Sequence, residues 1–393
     1  MSVYGIISEF NPFHNGHKYL IDAARSDGAE RVVCVMSGNA VQRGELSLTD
    51  KYYRAEMAIS AGADLVLELP YPWCAAGAEA FALCGVRIAS EFADKLFFGS
   101  ECGDIGLLSR AAEIASSDGF IEEYKESLIG SVGSAEIYFN VLERKTGEKY
   151  SSNDILGIEY IKAIKKLGAD MSVGTLKRTG GNYLESDIVI GDLQSATAIR
   201  KAIRSGGVDS VSGYMSNEAF NVLKRAFEDK SVTDMSRLDL AMKLYFRMSA
   251  PEQFADIADI DEGLASRLCR VARECGEDNF LDSLGTKRYT DARLARAVLF
   301  AMTGVRDEDI KTLPEYVNLL AANGRGRKLL AEKRKDSAIS VLAKAADIPR
   351  TEGAARQAEL SDKLDSIFTL ALTNERPASH IIKKSPVISG EDK

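Results

Sequence analysis

His14 and His17 stand three residues apart in FNPFHNGHKYL, with Gly16 between them and Asn11 and Pro12 just upstream. The run Val3 to Ile7 before them is short, apolar and β-branched, as a strand covered on both faces should be. Asn11 and Pro12 break that pattern, and a helix can start near Asn15 and Gly16. Two imidazoles at this spacing lie on one helical face beside unpaired backbone N–H groups and the positive end of a dipole. Both can donate to one phosphate as charge builds on it, and Gly16 allows close approach. The glycine fingerprint of a dinucleotide-binding fold, G-x-G-x-x-G, is absent here. The chain has 3 histidines, and the third, His380, stands alone and reads as structural.

Such a pair needs a scaffold, and the first half of the chain supplies alternating patterns. Strand-like runs cover Arg31 to Met36, Ala63 to Glu68, Lys95 to Phe98 and Met171 to Leu176. Helical spacing covers Asp50 to Ala61 and Asp154 to Leu167. Alternation of this kind predicts an α/β fold, a doubly wound parallel sheet whose ligands bind beyond the carboxyl ends of the strands. Polar residues collect just after the strands: His14 and His17, then Ser37 to Asn39, Gly99 to Glu101, and Lys177 with Arg178. The turn Gln42 to Glu45 offers Arg43 as a phosphate or carboxylate ligand. Asn153 and Asp154 open a helix and read as caps as readily as ligands. In SATAIRK, Ser195 or Thr197 can cap a helix, with Arg200 and Lys201 adding charge one turn in.

FNPFHNGH resembles the HxGH signature of nucleotidyltransferases and class I aminoacyl-tRNA synthetases. In order along the chain, GIISEFNPFHNGH, VMSGNAVQRGE, ADLVLELPYPW, LFFGSE, SSNDILGIEYI and SATAIRKAI resemble the bacterial tRNA(Met) cytidine acetate ligase family. That resemblance implies a HUP-type, Rossmann-like nucleotidyltransferase fold with His14 and His17 as catalytic residues. It implies ATP contacts at Ile7, Ser8, Glu9, Phe10, Asn11, Pro12, Phe13, His14, Asn15, Gly16, His17, Lys18, Tyr19 and Leu20, and at Gly99, Asn153 and Arg178. The S-x-T-x-I-R segment would add Ser195, Thr197 and Arg200 around the β and γ phosphates. The implied reaction activates acetate as acetyl-adenylate, then acetylates N4 of the wobble cytidine of elongator tRNA(Met). ATP is a substrate, Mg²⁺ is expected to accompany it, and no dedicated metal cage or stable protein partner is inferred. An adenylyltransferase acting on a small phosphorylated metabolite is the alternative, since HNGH and SATAIR serve both classes. Against it stands the size of the remaining chain.

Beyond about Arg204 the texture becomes helical. SRLDLAMKLYFRM, DEGLASRLCRVAREC, DARLARAVLFAM and PEYVNLLAANG all carry apolar residues at helical spacing. Residues 1–205 therefore read as the ATP-binding domain and 206–393 as an all-α, tRNA-binding domain. Two basic segments there suit RNA phosphates and an unstacked base: Lys287, Arg288, Arg293 and Arg296 around the aromatic Tyr289, and Arg325, Arg327 and Lys328 beside loop glycines. Residues from about Lys383 onward read as a polar tail. With 393 residues, a net charge of −8 and 27% charged residues, the whole surface does not suit nonspecific nucleic-acid binding. The 6 cysteines form no C-x-x-C pair, arguing against a disulfide framework or zinc site. That, the lack of a leader after Met1 and the lack of a membrane-length apolar run lead to a cytoplasmic expectation.

Overall fold

The computed structural model describes residues 2–127, 134–178, 195–286 and 288–390. Its first half alternates as expected: β1 (Val3–Ser8), α1 (Asn15–Ser26), β2 (Arg31–Ser37), α2 (Lys51–Ser60), β3 (Leu65–Leu69), α3 (Ala78–Ala89) and β4 (Lys95–Ser100). Three helices, α4 (Ile105–Ala115), α5 (Asp118–Ser127) and α6 (Ser134–Thr146), precede α7 (Ser152–Leu167) and β5 (Ser172–Lys177). The four segments β1 to β4 are almost wholly buried, because the sheet is covered on both faces. Val33 and Val35 join one core with Phe81, Val86 and Ile158, while Val32, Cys34 and Met36 join another with Phe10, Phe13 and Ile199. The period-2 alternation of β2 thus feeds two helical layers.

The strand order is β5-β4-β1-β2-β3, so the direction of winding reverses between β1 and β4. β1 pairs with β2 along its whole length, Val3–Arg31 to Ser8–Met36, and β4 pairs with β5 from Lys95–Ser172 to Ser100–Lys177. Between β1 and β4 pairing runs through Tyr4–Lys95 and Gly5–Leu96. No further rung joins these two strands among the described residues, and such a reversal is where doubly wound sheets form their ligand crevice.

The second half is mostly helical: α8 (Ala196–Gly206), α9 (Asn217–Glu228), α10 (Asp239–Met248), α11 (Glu262–Glu274), α12 (Phe280–Ser283), α13 (Asp291–Thr303) and α14 (Asp307–Lys311). It is not all-α. PEYVNLLAANG, read above as a helix, contains β6 (Tyr316–Ala322), which pairs antiparallel with β3. After α15 (Gly324–Lys333), β7 (Ser340–Leu342) pairs parallel with β6. The chain closes with α16 (Glu352–Ala371) and β8 (Val387–Ile388), which pairs with Ala321 and Ala322. The supposed tail is therefore tied to the sheet up to β8, and 391–393 lie outside the described residues. Gly326 fits against this edge because a Cβ there would lie 1.9 Å from the Asp64 carbonyl oxygen. No helix among the described residues is long and apolar enough to cross a membrane.

Candidate active site

The loop after β1 places both histidines at the start of α1. His14 is the N-cap, its Nδ1 accepting from the Gly16 N–H at 3.1 Å, while the His14 N–H donates to Nδ1 of His17 at 3.3 Å. This reciprocal box satisfies two of the helix's open donors. The rings stack with centroids 3.8 Å apart. Burial, then the nearby charge of Arg178, pulls His14 down to about 3. Burial, then His14 and Arg178, pulls His17 well below the ordinary imidazole range. Both rings are therefore neutral, and since each Nδ1 accepts, the remaining proton sits on Nε2 as a donor. Phe10, at φ 45, holds the left-handed corner of the loop and packs edge-on against Phe13 and His17 at 5.0 and 4.8 Å.

Arg54 ties this loop to its neighbours. Fully buried, it donates to the carbonyls of Glu9 at 2.7 Å, Ser37 and Thr49 at 3.1 Å, and Gly38. Burial lowers its pKa to about 10, still far above neutrality. Glu9, whose carboxyl burial pushes upward, accepts the Gln42 N–H at 2.8 Å. Asn11 accepts the Leu48 N–H through Oδ1 at 2.7 Å, and its Nδ2 is a buried donor without a partner among the described residues.

The SATAIRK helix reaches the same loop. Arg200 donates to the Asn11 carbonyl at 2.8 Å and pairs with Glu45 at 3.3 Å, with Thr197 Oγ1 at 3.5 Å. Ser195 is the cap, accepting from the Ala198 N–H at 3.2 Å, and Thr197 is not.

On the other side of the crevice Glu101 gathers the remaining residues. Its Oε1 accepts from Asn153 Nδ2 at 2.6 Å and lies 3.5 Å from Arg178 Nε, and its Oε2 accepts from Ser151 Oγ. The cap of α7 is Ser151, in a box with Asp154, so capping does not account for Asn153. A Cβ at Gly99 would press on Arg178 Cγ at 3.1 Å, so the glycine lets that side chain lie across the end of β4. Glu101 carried a signal in the polar cluster after the fourth strand, whereas Arg54 lies inside the helical span 50–61 and was not singled out.

The basic segments part company. Arg296 donates to Asp259 and, at 3.4 Å, to the Gln42 carbonyl. Arg288 and Arg293 share Asp261 at 3.6 and 3.5 Å beside the turn that leads to the site. Tyr289, expected to meet a base, is buried with its hydroxyl on Asp261 at 2.8 Å. Lys287 lies outside the described residues. Arg325, Arg327 and Lys328 sit on α15, where Arg325 pairs with Asp64 at 3.2 Å. Asp64 precedes β3, so this segment lies at the amino end of the parallel strands, opposite the histidines.

The HIGH nucleotidyl transferase family model matches residues 1–381. A tRNA(Met) cytidine acetate ligase of Acetivibrio thermocellus is 34% identical over 370 residues, covering 88% of this chain and 89% of the relative. One from Caldanaerobacter subterraneus subsp. tengcongensis is 32% identical over 390 residues, covering 95% and 96%. The crystal structure of Thermotoga maritima TmcAL bound with alpha-thio ATP superposes with a TM-score of 0.90 at 28% identity, covering 99% of this chain and 100% of that one. The apo form of the same protein gives 0.89. With the paired imidazoles at a helix N-terminus beside a reversal crevice, these likenesses identify the chain as a member of the tRNA(Met) cytidine acetate ligase family within the HIGH nucleotidyl transferases.

Proposed function

We propose that this chain is an ATP-dependent ligase that converts acetate to acetyl-adenylate and transfers the acetyl group to N4 of the wobble cytidine of elongator tRNA(Met). The observation that carries the reading is the pair of neutral, stacked imidazoles at the N-terminus of α1, each with its Nδ1 engaged and its Nε2–H unpartnered among the described residues. In the first step an acetate oxygen attacks the α-phosphorus of ATP and pyrophosphate leaves. Acetate is already ionised at neutral pH, so the step calls for charge stabilisation and alignment rather than a base. His14 and His17 donate to the oxygens of the five-coordinate phosphorus, with the open N–H groups of α1 behind them. Arg178, Arg200, Ser195 and Thr197 orient the triphosphate. Gly99 and Asn153 hold the adenosine, and Glu101 sets Asn153 and Arg178. In the second step the cytosine amine attacks the acetyl carbonyl and AMP leaves with the electron pair.

Among the described residues no group of three or more His, Cys, Asp or Glu side chains is placed to hold a metal ion. A magnesium ion entering with ATP would rest on phosphate oxygens and water, and no step is assigned to it.

The test is ATP–pyrophosphate exchange with purified protein and acetate, longer carboxylates or phosphorylated metabolites, with and without bulk tRNA. Acetate-dependent exchange followed by N4-acetylcytidine in tRNA(Met) is the expected result. Exchange driven by a phosphorylated metabolite and indifferent to acetate would overturn the reading.

A further inference from the structure

The turn 42–45 is pinned at every residue but one. Gln42 donates its N–H to Glu9 at 2.8 Å, and its carbonyl accepts from Arg296 at 3.4 Å. Gly44, at φ +73, lies so close to α13 that a Cβ would stand 2.2 Å from the Arg296 backbone nitrogen. Glu45 pairs with Arg200 at 3.3 Å, and its carbonyl accepts from the Val41 N–H at 3.0 Å. Arg43 alone is exposed, and no hydrogen bond or ion pair among the described residues holds its guanidinium. Its charge is felt by the buried Glu9 and by Arg200, so it stands at the rim of the histidine loop. Behind the same turn, the approach to α13 carries Arg288 and Arg293, two guanidiniums sharing the single carboxylate of Asp261.

An exposed guanidinium with no partner among the described residues, on an anchored turn that joins the histidine loop to the helix bearing Arg293 and Arg296, is placed for a polyanion larger than ATP. We propose that Arg43 is a positioning residue for the second half-reaction, holding a backbone phosphate of the acceptor RNA beside the base to be acetylated. This rests on the ligase reading above. The triphosphate has its own set of donors in that reading, and Arg43 is outside it. A guanidinium meets a phosphate through two parallel N–H bonds, which fixes the approach of the strand as well as its affinity.

Arg43→Ala and Arg43→Lys test this in the full-length protein with a tRNA(Met) transcript. Acetate-dependent ATP–pyrophosphate exchange should stay within about twofold of wild type. The KM for the transcript in acetyl transfer should rise roughly ten- to a hundredfold in Arg43→Ala, the loss expected for a hydrogen bond to a charged group, with part recovered by lysine. Direct binding of the transcript should weaken, and the slope of log affinity against log salt should fall by about 0.7 to 1. Parallel loss of exchange and transfer would place Arg43 on ATP and overturn the proposal, as would unchanged transfer and binding. The binding measurement needs no acetate, so failure of wild-type exchange with acetate would count against the ligase reading alone.

Discussion

The two ends of the parallel sheet handle charge in opposite ways. At the amino ends, opposite charges meet directly: Asp64 takes Arg25 at 2.5 Å and Arg325 at 3.2 Å, Arg31 takes Glu332 at 2.5 Å, and Lys95 takes Asp27 at 2.5 Å. At the carboxyl ends Lys51–Glu68 at 2.8 Å, Arg200–Glu45 at 3.3 Å and Arg178–Glu101 at 3.5 Å also pair, but around the histidine loop itself charge is removed or spread over dipoles. The two imidazoles are held neutral, Arg54 rests on four carbonyls, and Glu9 rests on a backbone N–H. The first arrangement neutralises and locks the fold. The second keeps donors unspent, as a site that must meet a phosphate only during reaction requires.

The sharpest way to break this comparison is to remove one unspent donor. His17→Ala should lower acetate-dependent ATP–pyrophosphate exchange by about 10² to 10³, the usual cost of one transition-state donor, with little change in the urea midpoint. A drop in stability that accounts for the lost exchange would mean that the histidine locks the loop and no more. At the opposite end the readouts should exchange places. Asp64→Ala strands Arg25, the Val32 N–H and the Asn323 amide, and should cost about 3 kcal/mol of unfolding free energy while exchange per folded molecule holds.

Arg54 belongs to the carboxyl end yet does fold work there, so it should move both readouts. Arg54→Lys keeps the charge but has no planar fork with which to reach carbonyls of both the β1–α1 and β2–α2 connections. We expect a loss of about 1 to 3 kcal/mol in stability and a fall in exchange of roughly tenfold, since the carbonyl of Glu9 begins the histidine loop. A full loss of stability with unchanged exchange would detach Arg54 from the site.

How far the sequence foresaw this division depends on how local the signal is. The histidine pair was legible because a rare residue recurs within one turn after an apolar strand, the strands β1 to β4 because each is a short buried run, and β5 because it is a short run just after a helical pattern. β6 was not, since Tyr316, Val317, Leu319 and Leu320 satisfy helical spacing as well as a strand, and the partner that decides is β3, far away in the chain. Arg54 carried no mark because its role lies in carbonyls of distant loops. The two basic segments looked alike in composition, and only the sheet's direction separates one beside the site turn from one at the other end.

The comparison also has a small, signed signature in pH. His14 is held at about 3 against an ordinary 6.5, so below pH 6.5 the unfolded chain binds a proton that the folded chain refuses. His17 acts in the same sense. Their contribution to stability is fully present above pH 6.5 and is lost on acidification, each by up to about 1.4 kcal/mol per pH unit. Asp365 runs the other way. It lies buried beside Lys51 and Glu68, takes a hydrogen bond from Asn39 at 2.7 Å, and is raised by burial to about 6 from 3.8. Between those values the folded chain protonates first, so stability is gained as pH falls. Urea unfolding of wild type at pH 7 and pH 5 should show a net loss on acidification. His14→Asn, which keeps a capping side chain, should make that loss smaller. Asp365→Asn should make it larger by removing the opposing gain. If neither variant changes the difference between the two pH values, the imidazoles are not held neutral by the fold, and the contrast between the ends of the sheet fails at its centre.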